Sequence, residues 1–195
     1  MNKESILKRF LYFLLAFLIL CIDVALTIFV SVKDVRAVGL LILVMLLISA
    51  GALFLGKCMG LLEGFKALSS MKAWGMIGLT YLGISNTTNQ AAIENAHMNP
   101  FVLITVTVIM APIVEELVFR GILMGRVFNP DSIVGLIVSS LLFGLVHMPN
   151  SIGVWIVYAG MGLALGIAYR KFQKLEYCIM AHIINNSIAV SMLLL

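Results

Sequence analysis

Glu115 and Glu116 stand side by side in Met110-Ala111-Pro112-Ile113-Val114-Glu115-Glu116-Leu117-Val118-Phe119-Arg120, a stretch otherwise apolar enough to lie inside a bilayer. An ionisable side chain at membrane depth costs several kcal/mol, on the order of 2.5–3.5 by insertion scales, so each carboxylate there needs a partner or a function. Glu116 and Arg120 are i and i+4 with the acid first, the favoured order for a same-face ion pair on a helix. Glu115 is turned about 100° away by the 3.6-residue period. One carboxylate is therefore neutralised locally, and the other is left for chemistry.

Two histidines intrude on apolar runs in the same way. His147 closes Phe143-Gly144-Leu145-Val146-His147, and His182 shares a helical face with Asn186 in Ala181-His182-Ile183-Ile184-Asn185-Asn186. Either histidine alone is more often a hydrogen-bonded core residue than a catalyst. Three separate polar intrusions into apolar segments are most economically explained by one water-containing cavity that they share. Asp23, in the first apolar run, is an interface residue, a partner for a basic group or a further part of that cavity.

The elements that must hold these groups follow from composition. With 62% hydrophobic and 11% charged residues and a mean hydropathy of +1.12, the chain lies far from the soluble norm of roughly 45–50% apolar and 25% charged. The expected fold is all-α, a polytopic transmembrane bundle. Apolar runs near 10–32, 37–56, 73–86, 99–128, 132–147, 152–169 and 175–194 give about seven spans, of which the third and fifth are short for a crossing. The N-terminal run has a signal peptide's charge order but no small-residue cleavage site, and reads as a retained first span. Cys21, Cys58 and Cys178 are scattered, without the clustering of a metal or disulfide framework, and read as packing residues. No repeat or linker divides the chain.

Basic residues set the orientation. With the N-terminus inside, Lys3, Lys8, Arg9, Lys57, Lys66, Lys72, Arg120, Arg126, Arg170, Lys171 and Lys174 fall on the cytoplasmic side and only Lys33 and Arg36 outside. The net charge of +4 then faces anionic headgroups and gives no case for nucleic acid. The expected setting is a multi-pass protein of a bacterial plasma membrane, with an external C-terminus. Residues 85–99, polar and without Lys or Arg, read as an external loop, and Asn99-Pro100 as a helix start. Pro112 is expected to interrupt the following helix and free a carbonyl. Gly162 and Gly166, with Ala164 and Ala168, predict close helix contact. At 1.5 Å per residue, Glu115 lies about 22 Å before the Asn129-Pro130-Asp131 turn and His147 about 25 Å after it, so antiparallel helices would bring them level. His182, about 12 Å beyond Lys174 by the same rise, points to a site facing the cytoplasm.

In this order, Glu115-Glu116-Leu117-Val118-Phe119-Arg120 fits EExxxR, Phe143 to His147 fits FxxxH, and His182 to Asn186 fits HxxxN. The chain resembles the CPBP family, the type II CAAX prenyl proteases and bacteriocin-processing (Abi) intramembrane endopeptidases, over roughly residues 100–195. Residues 1–99 then supply further N-terminal helices and loops. The resemblance implies that Glu115 and His147 activate a water, that His182 and Asn186 stabilise the oxyanion, and that Glu116 and Arg120 shape the site. The chemistry is sound, since a positioned acid–base group is worth typically 10²–10⁴-fold and one oxyanion donor about 10²–10³-fold. No serine or cysteine sits in the motifs as nucleophile, and Ser187 reads as packing.

Glu115, His147 and His182 could instead ligate zinc and leave a position for water. Without an HExxH, and with Asn186 suited to donate, a metal-free, cofactor-free glutamic mechanism is the expectation. A non-catalytic immunity or scaffold protein is a further alternative, against which stands the complete motif set. A proton-coupled transporter would show inverted repeats or paired broken helices, and neither is present. The partners expected are the lipid bilayer and a hydrophobic peptide or membrane-protein substrate.

Overall fold

The computed structural model describes residues 5–27, 34–64, 68–69, 72–75, 77–78 and 99–195. The external loop expected up to residue 98, most of the third span near 73–86, and Lys3, Lys33 and Lys66 lie outside the described residues. Among those described there is no strand, and six helices carry the fold: α1 Ile6–Thr27, α2 Val35–Cys58, α3 Pro100–Phe128, α4 Ile133–Val146, α5 Ile152–Phe172 and α6 Leu175–Leu194. All but α4 are long and apolar enough to cross a membrane. The chain is an integral membrane protein with an all-α bundle.

Local chemistry fixes the helix ends. Asp34 caps α2 by accepting from Arg36 N and Ala37 N, both at 3.0 Å. Asn99 caps α3 through Phe101 N at 3.0 Å, with Pro100 following it as expected. Ser132 and Ser151 cap α4 and α5. Gly60, at a positive φ of 66°, turns the chain out of α2. Gln173, at φ 54°, ends α5 behind Arg170 and Lys171, whose charges suit a helix C-terminus.

α3 is the axis of the bundle. Buried residues make up 61% of its most apolar stretch against 11% for α1, so α3 is wrapped by protein and α1 faces lipid along Phe10, Phe13 and Phe17. Val102, Val106, Met110, Val114, Val118 and Ile122 of α3 form the middle of the core. α4 and α5 pack closely because glycines leave room. A Cβ on Gly162 would lie 3.0 Å from Ser140 O, and one on Gly144 3.0 Å from Ala159 N.

The winding of α3 departs from expectation. The chain does not break at Pro112. Thr105–Met110 and Leu117–Phe128 are wound with wide i→i+5 turns, and the α-helical turn Ala111–Glu116 between them carries both glutamates. Ala111 N–H reaches back to Val106 O, five residues away, so the helix absorbs the proline by widening. Such wide turns are rare and are found mostly at functional positions.

One end of the bundle is tied by polar contacts. Glu176 at the start of α6 accepts from the backbone N–H groups of Glu63 and Gly64, Arg126 donates to the Met59 carbonyl, and Lys174 pairs with Glu63. Lys57, Arg126, Arg170, Lys171 and Lys174 gather at this end, which is the end the charge count assigns to the cytoplasm. The three cysteines are unpaired, and buried Cys178 turns its thiol to Leu165 O at 3.5 Å.

Candidate active site

α4 has only 14 residues, about 21 Å at 1.5 Å per residue, which is shorter than the roughly 30 Å hydrocarbon core. Its C-terminal His147 therefore stops inside the bundle. There the ring is held on two sides: Nδ1 lies 2.7 Å from Phe143 O, and the face stacks on Tyr158 of α5 with centroids 4.1 Å apart. Nδ1–H donation to that carbonyl leaves Nε2 as an acceptor, and Nε2 is 3.9 Å from Glu115 Oε2.

His182 of α6 is fixed by the other glutamate. Its Nδ1 is 3.0 Å from Glu116 Oε1, and its Nε2 lies 4.0 Å from Glu115 Oε2. The same Glu116 oxygen accepts from Arg120 Nη1 at 3.0 Å, which is the expected i, i+4 ion pair. Arg120 also donates to Gly162 O at 2.9 Å and lies 4.4 Å from the centre of the Phe143 ring. Phe143 is the hub, in contact with Phe119, His147 and His182. The glutamates divide as their helical phase requires. Glu116 and Arg120 have no side-chain exposure, whereas Glu115 keeps 13% and His147 16%, so an incoming group can reach only the second pair.

The structure thus brings together Glu115, Glu116, Arg120, His147 and His182 from α3, α4 and α6. One turn beyond His182, the Asn186 amide donates to Thr107 O of α3 at 2.8 Å, and its oxygen accepts from Asn185 at 3.3 Å. Ser187 bonds back to Ile183 O at 2.7 Å, as a packing residue does. Asp23 of α1 has a buried Oδ1 without a hydrogen bond among the described residues. Sequence reasoning missed Tyr158 and the Gly162 and Thr107 carbonyls, because each enters through the register between two helices.

Glu115 Oε2 is buried and makes no hydrogen bond within the described protein. Its separations of 3.9 and 4.0 Å from the two Nε2 atoms suit a bridging water, since two hydrogen bonds of about 2.8 Å meeting near a right angle span about 4 Å. Zinc is the other group to test here. With bonds of about 2.0–2.1 Å in a tetrahedron its ligands stand about 3.3 Å apart, closer than these atoms, and no three such residues among those described are spaced for a metal. The donor types nonetheless suit zinc: both imidazoles have Nδ1 engaged and Nε2 free, the arrangement seen in metal-ligating histidines.

A profile of the Rce1-like type II CAAX prenyl endopeptidases matches residues 97–188, the stretch holding every motif residue above. YdiL of Bacillus subtilis (strain 168), named as a membrane peptidase, is 31% identical over 132 residues, covering 66% of this chain and 52% of YdiL. The membrane-embedded CAAX protease MroQ of Staphylococcus aureus (strain USA300) is 35% identical over 89 residues, 42% of this chain and 35% of MroQ. The UPF0177 protein YvdC of Lactococcus lactis subsp. lactis (strain IL1403) is 26% identical over 101 residues. The chain spans about half or less of the length of these relatives, and no solved structure matches it. The match over residues 97–188 and the similarity to YdiL and MroQ support a protease of the CPBP family, similar to the Rce1-like type II CAAX prenyl endopeptidases.

Proposed function

We propose that the chain is an intramembrane endopeptidase that hydrolyses a peptide bond in a hydrophobic, membrane-associated peptide or protein by means of a water activated at Glu115. The observation that carries this reading is Glu115 Oε2 facing the Nε2 atoms of His147 and His182 at 3.9 and 4.0 Å, across gaps of water size. A water with one hydrogen on Glu115 and the other on His147 Nε2 keeps its lone pairs free for a carbonyl carbon. Glu115 takes the proton as the new C–O bond forms, and hands it to the amide nitrogen as the C–N bond breaks. His182, held on Glu116 at Nδ1, presents its Nε2 edge to the oxyanion. Arg120 holds Glu116 in place for that task through the 3.0 Å contact to the same oxygen. Asn186 gives one amide N–H to Thr107 O and keeps its second N–H for the oxyanion beside His182.

A second reading follows from the two free Nε2 atoms. Glu115, His147 and His182 would then hold a zinc ion, which when bound lowers the pKa of its water to about 7. Purified, detergent-solubilised protein tests both readings against a fluorogenic hydrophobic peptide with metal content measured alongside. Cleavage by metal-free protein is the expected result. Cleavage that tracks about one zinc per chain would replace the glutamic mechanism, and no cleavage of any hydrophobic peptide would count against the enzyme.

A further inference from the structure

Asp23 is a carboxylate at membrane depth that the mechanism above leaves unused. It falls on the face of α1 that turns to the bundle, in helical register with Tyr12, Leu15, Ala16, Ile19 and Leu26, which pack against the core. A charge at this depth is costly without a counter-charge. Among the described residues none reaches it: Oδ1 is buried without a hydrogen bond, and Arg120 is committed to Glu116 and Gly162 O. Arg9 stands about 21 Å away along α1 at 1.5 Å per residue. The run of the helices fixes where Asp23 lies. Arg126 donates to Met59 O at the end of α2, so α2 and α3 finish on one side. Residues 28–33 join α1 to α2 and span at most about 24 Å, whereas the 24 residues of α2 rise about 36 Å. α1 therefore runs opposite to α3. A groove of about 640 Å³ lies between these two helices and α4, with Ala16, Leu20, Val24, Phe119, Leu123 and Val146 in its wall. From its middle, near residues 19 and 120, Asp23 is about 6 Å further along α1 and Glu115 about 7.5 Å further along α3 in the same direction. The two carboxylates come level, and Val146, beside His147, brings the groove to the catalytic pair.

We propose that Asp23 sets substrate specificity: it pairs with a lysine or arginine side chain of a hydrophobic peptide that lies along this groove with its scissile bond at Glu115. The proposal rests on the peptidase reading above for the place of the scissile bond, and not for the pairing itself. Each partner relieves the other, because a basic side chain drawn into an apolar groove meets the same desolvation as Asp23. The charge balance agrees. Asp23, Glu115 and Glu116 stand against the single guanidinium of Arg120, so the site suits a cation over an anion. The groove wall is otherwise apolar, which suits the residues that flank the basic one.

The test moves one basic residue through a fluorogenic hydrophobic peptide. Peptides with lysine at successive positions about the cleavage site are compared in detergent with methionine at the same position, an uncharged side chain of similar length. The wild type is expected to favour lysine about 10- to 100-fold in kcat/KM at one position or two neighbouring ones. Asp23→Asn should bring that ratio close to one, whereas Asp23→Glu, which keeps the charge, should retain a preference. Asp23→Ala serves if Asp23→Asn does not accumulate. A merely structural role would slow both peptides alike and leave the ratio standing, and a ratio that survives in Asp23→Asn overturns the proposal. Equal cleavage of lysine and methionine peptides by the wild type at every position also overturns it, and leaves the groove to apolar chains alone. If the wild type cleaves nothing, the peptidase reading fails by itself, while binding of the same labelled peptides, read by fluorescence polarisation, still decides the pairing. Tighter binding of a lysine peptide by about tenfold in the wild type and not in Asp23→Asn upholds it; equal binding overturns it.

Discussion

Replacing Glu116 by glutamine tests how the site is held. The change keeps shape and one acceptor oxygen, but removes the charge opposite Arg120, whose guanidinium is fully buried. Removing one partner of a buried ion pair costs about 3–5 kcal/mol, since the remaining charge keeps its desolvation penalty without compensation. Two contacts persist for Arg120, the 2.9 Å bond to Gly162 O and the Phe143 ring at 4.4 Å. With these and the glutamine oxygen retained, the loss is expected to fall below that range, at about 2–3 kcal/mol. In a chain of this length each kcal/mol shifts Tm by about 2–4 °C, so Glu116→Gln should unfold about 4–12 °C below the wild type in a detergent thermal melt. Glu116→Gln/Arg120→Met removes both charges and should regain much of that loss, because a well-packed apolar replacement of a buried pair is often neutral. Activity should not return, since His182 Nδ1 has lost its carboxylate. A Glu116→Gln Tm within about 1 °C of wild type, or a double variant less stable than either single change, would refute the reasoning.

Tyr158→Ala should lower kcat about tenfold by freeing the His147 ring, while Tyr158→Phe, which keeps the 4.1 Å stack, should stay near wild type; equal loss in both would show that the hydroxyl matters. Gly162→Val should destabilise by about 1–3 kcal/mol and cost activity, because its Cβ meets Ser140 backbone atoms at 3.0 and 3.1 Å that cannot swing aside. Gly166→Ala should be milder, because its Cβ meets the Leu136 Cδ1 end of a flexible side chain. For orientation, cysteines placed at Asn89 and Gln173 in a cysteine-free background should react with an impermeant reagent from outside at position 89 only; labelling at 173 would reverse or break the seven-span arrangement.

What was legible in the sequence was what local geometry determines. The Glu116–Arg120 pair follows from helical phase, the α3 start from Asn99 and Pro100, and the spans from apolar length. The close approach of α4 and α5 was visible in Gly162 and Gly166. The wide turns of α3 were not, because an i→i+5 winding is chosen by tertiary packing and its residues look like any apolar helix. Pro112 announced a freed carbonyl, but its partner Asn186 lies on another helix. Tyr158 was hidden likewise, as its stack on His147 depends on how α5 is registered against α4. The resemblance supplied roles for motif residues, and for Asn186 the structure adds a hydrogen bond to Thr107 O that no motif announces.

The central claim is that Glu115 is the group that takes the proton from water. Glu115→Gln keeps the side chain's size and its place beside His147 and His182, and removes the base. The most direct measurement is single-turnover cleavage of a hydrophobic peptide by equal amounts of purified wild type and Glu115→Gln, each shown by its melt to be folded. The account requires wild-type cleavage and a loss of at least about 10²-fold in Glu115→Gln with its Tm preserved. Cleavage by a folded Glu115→Gln at the wild-type rate would contradict it.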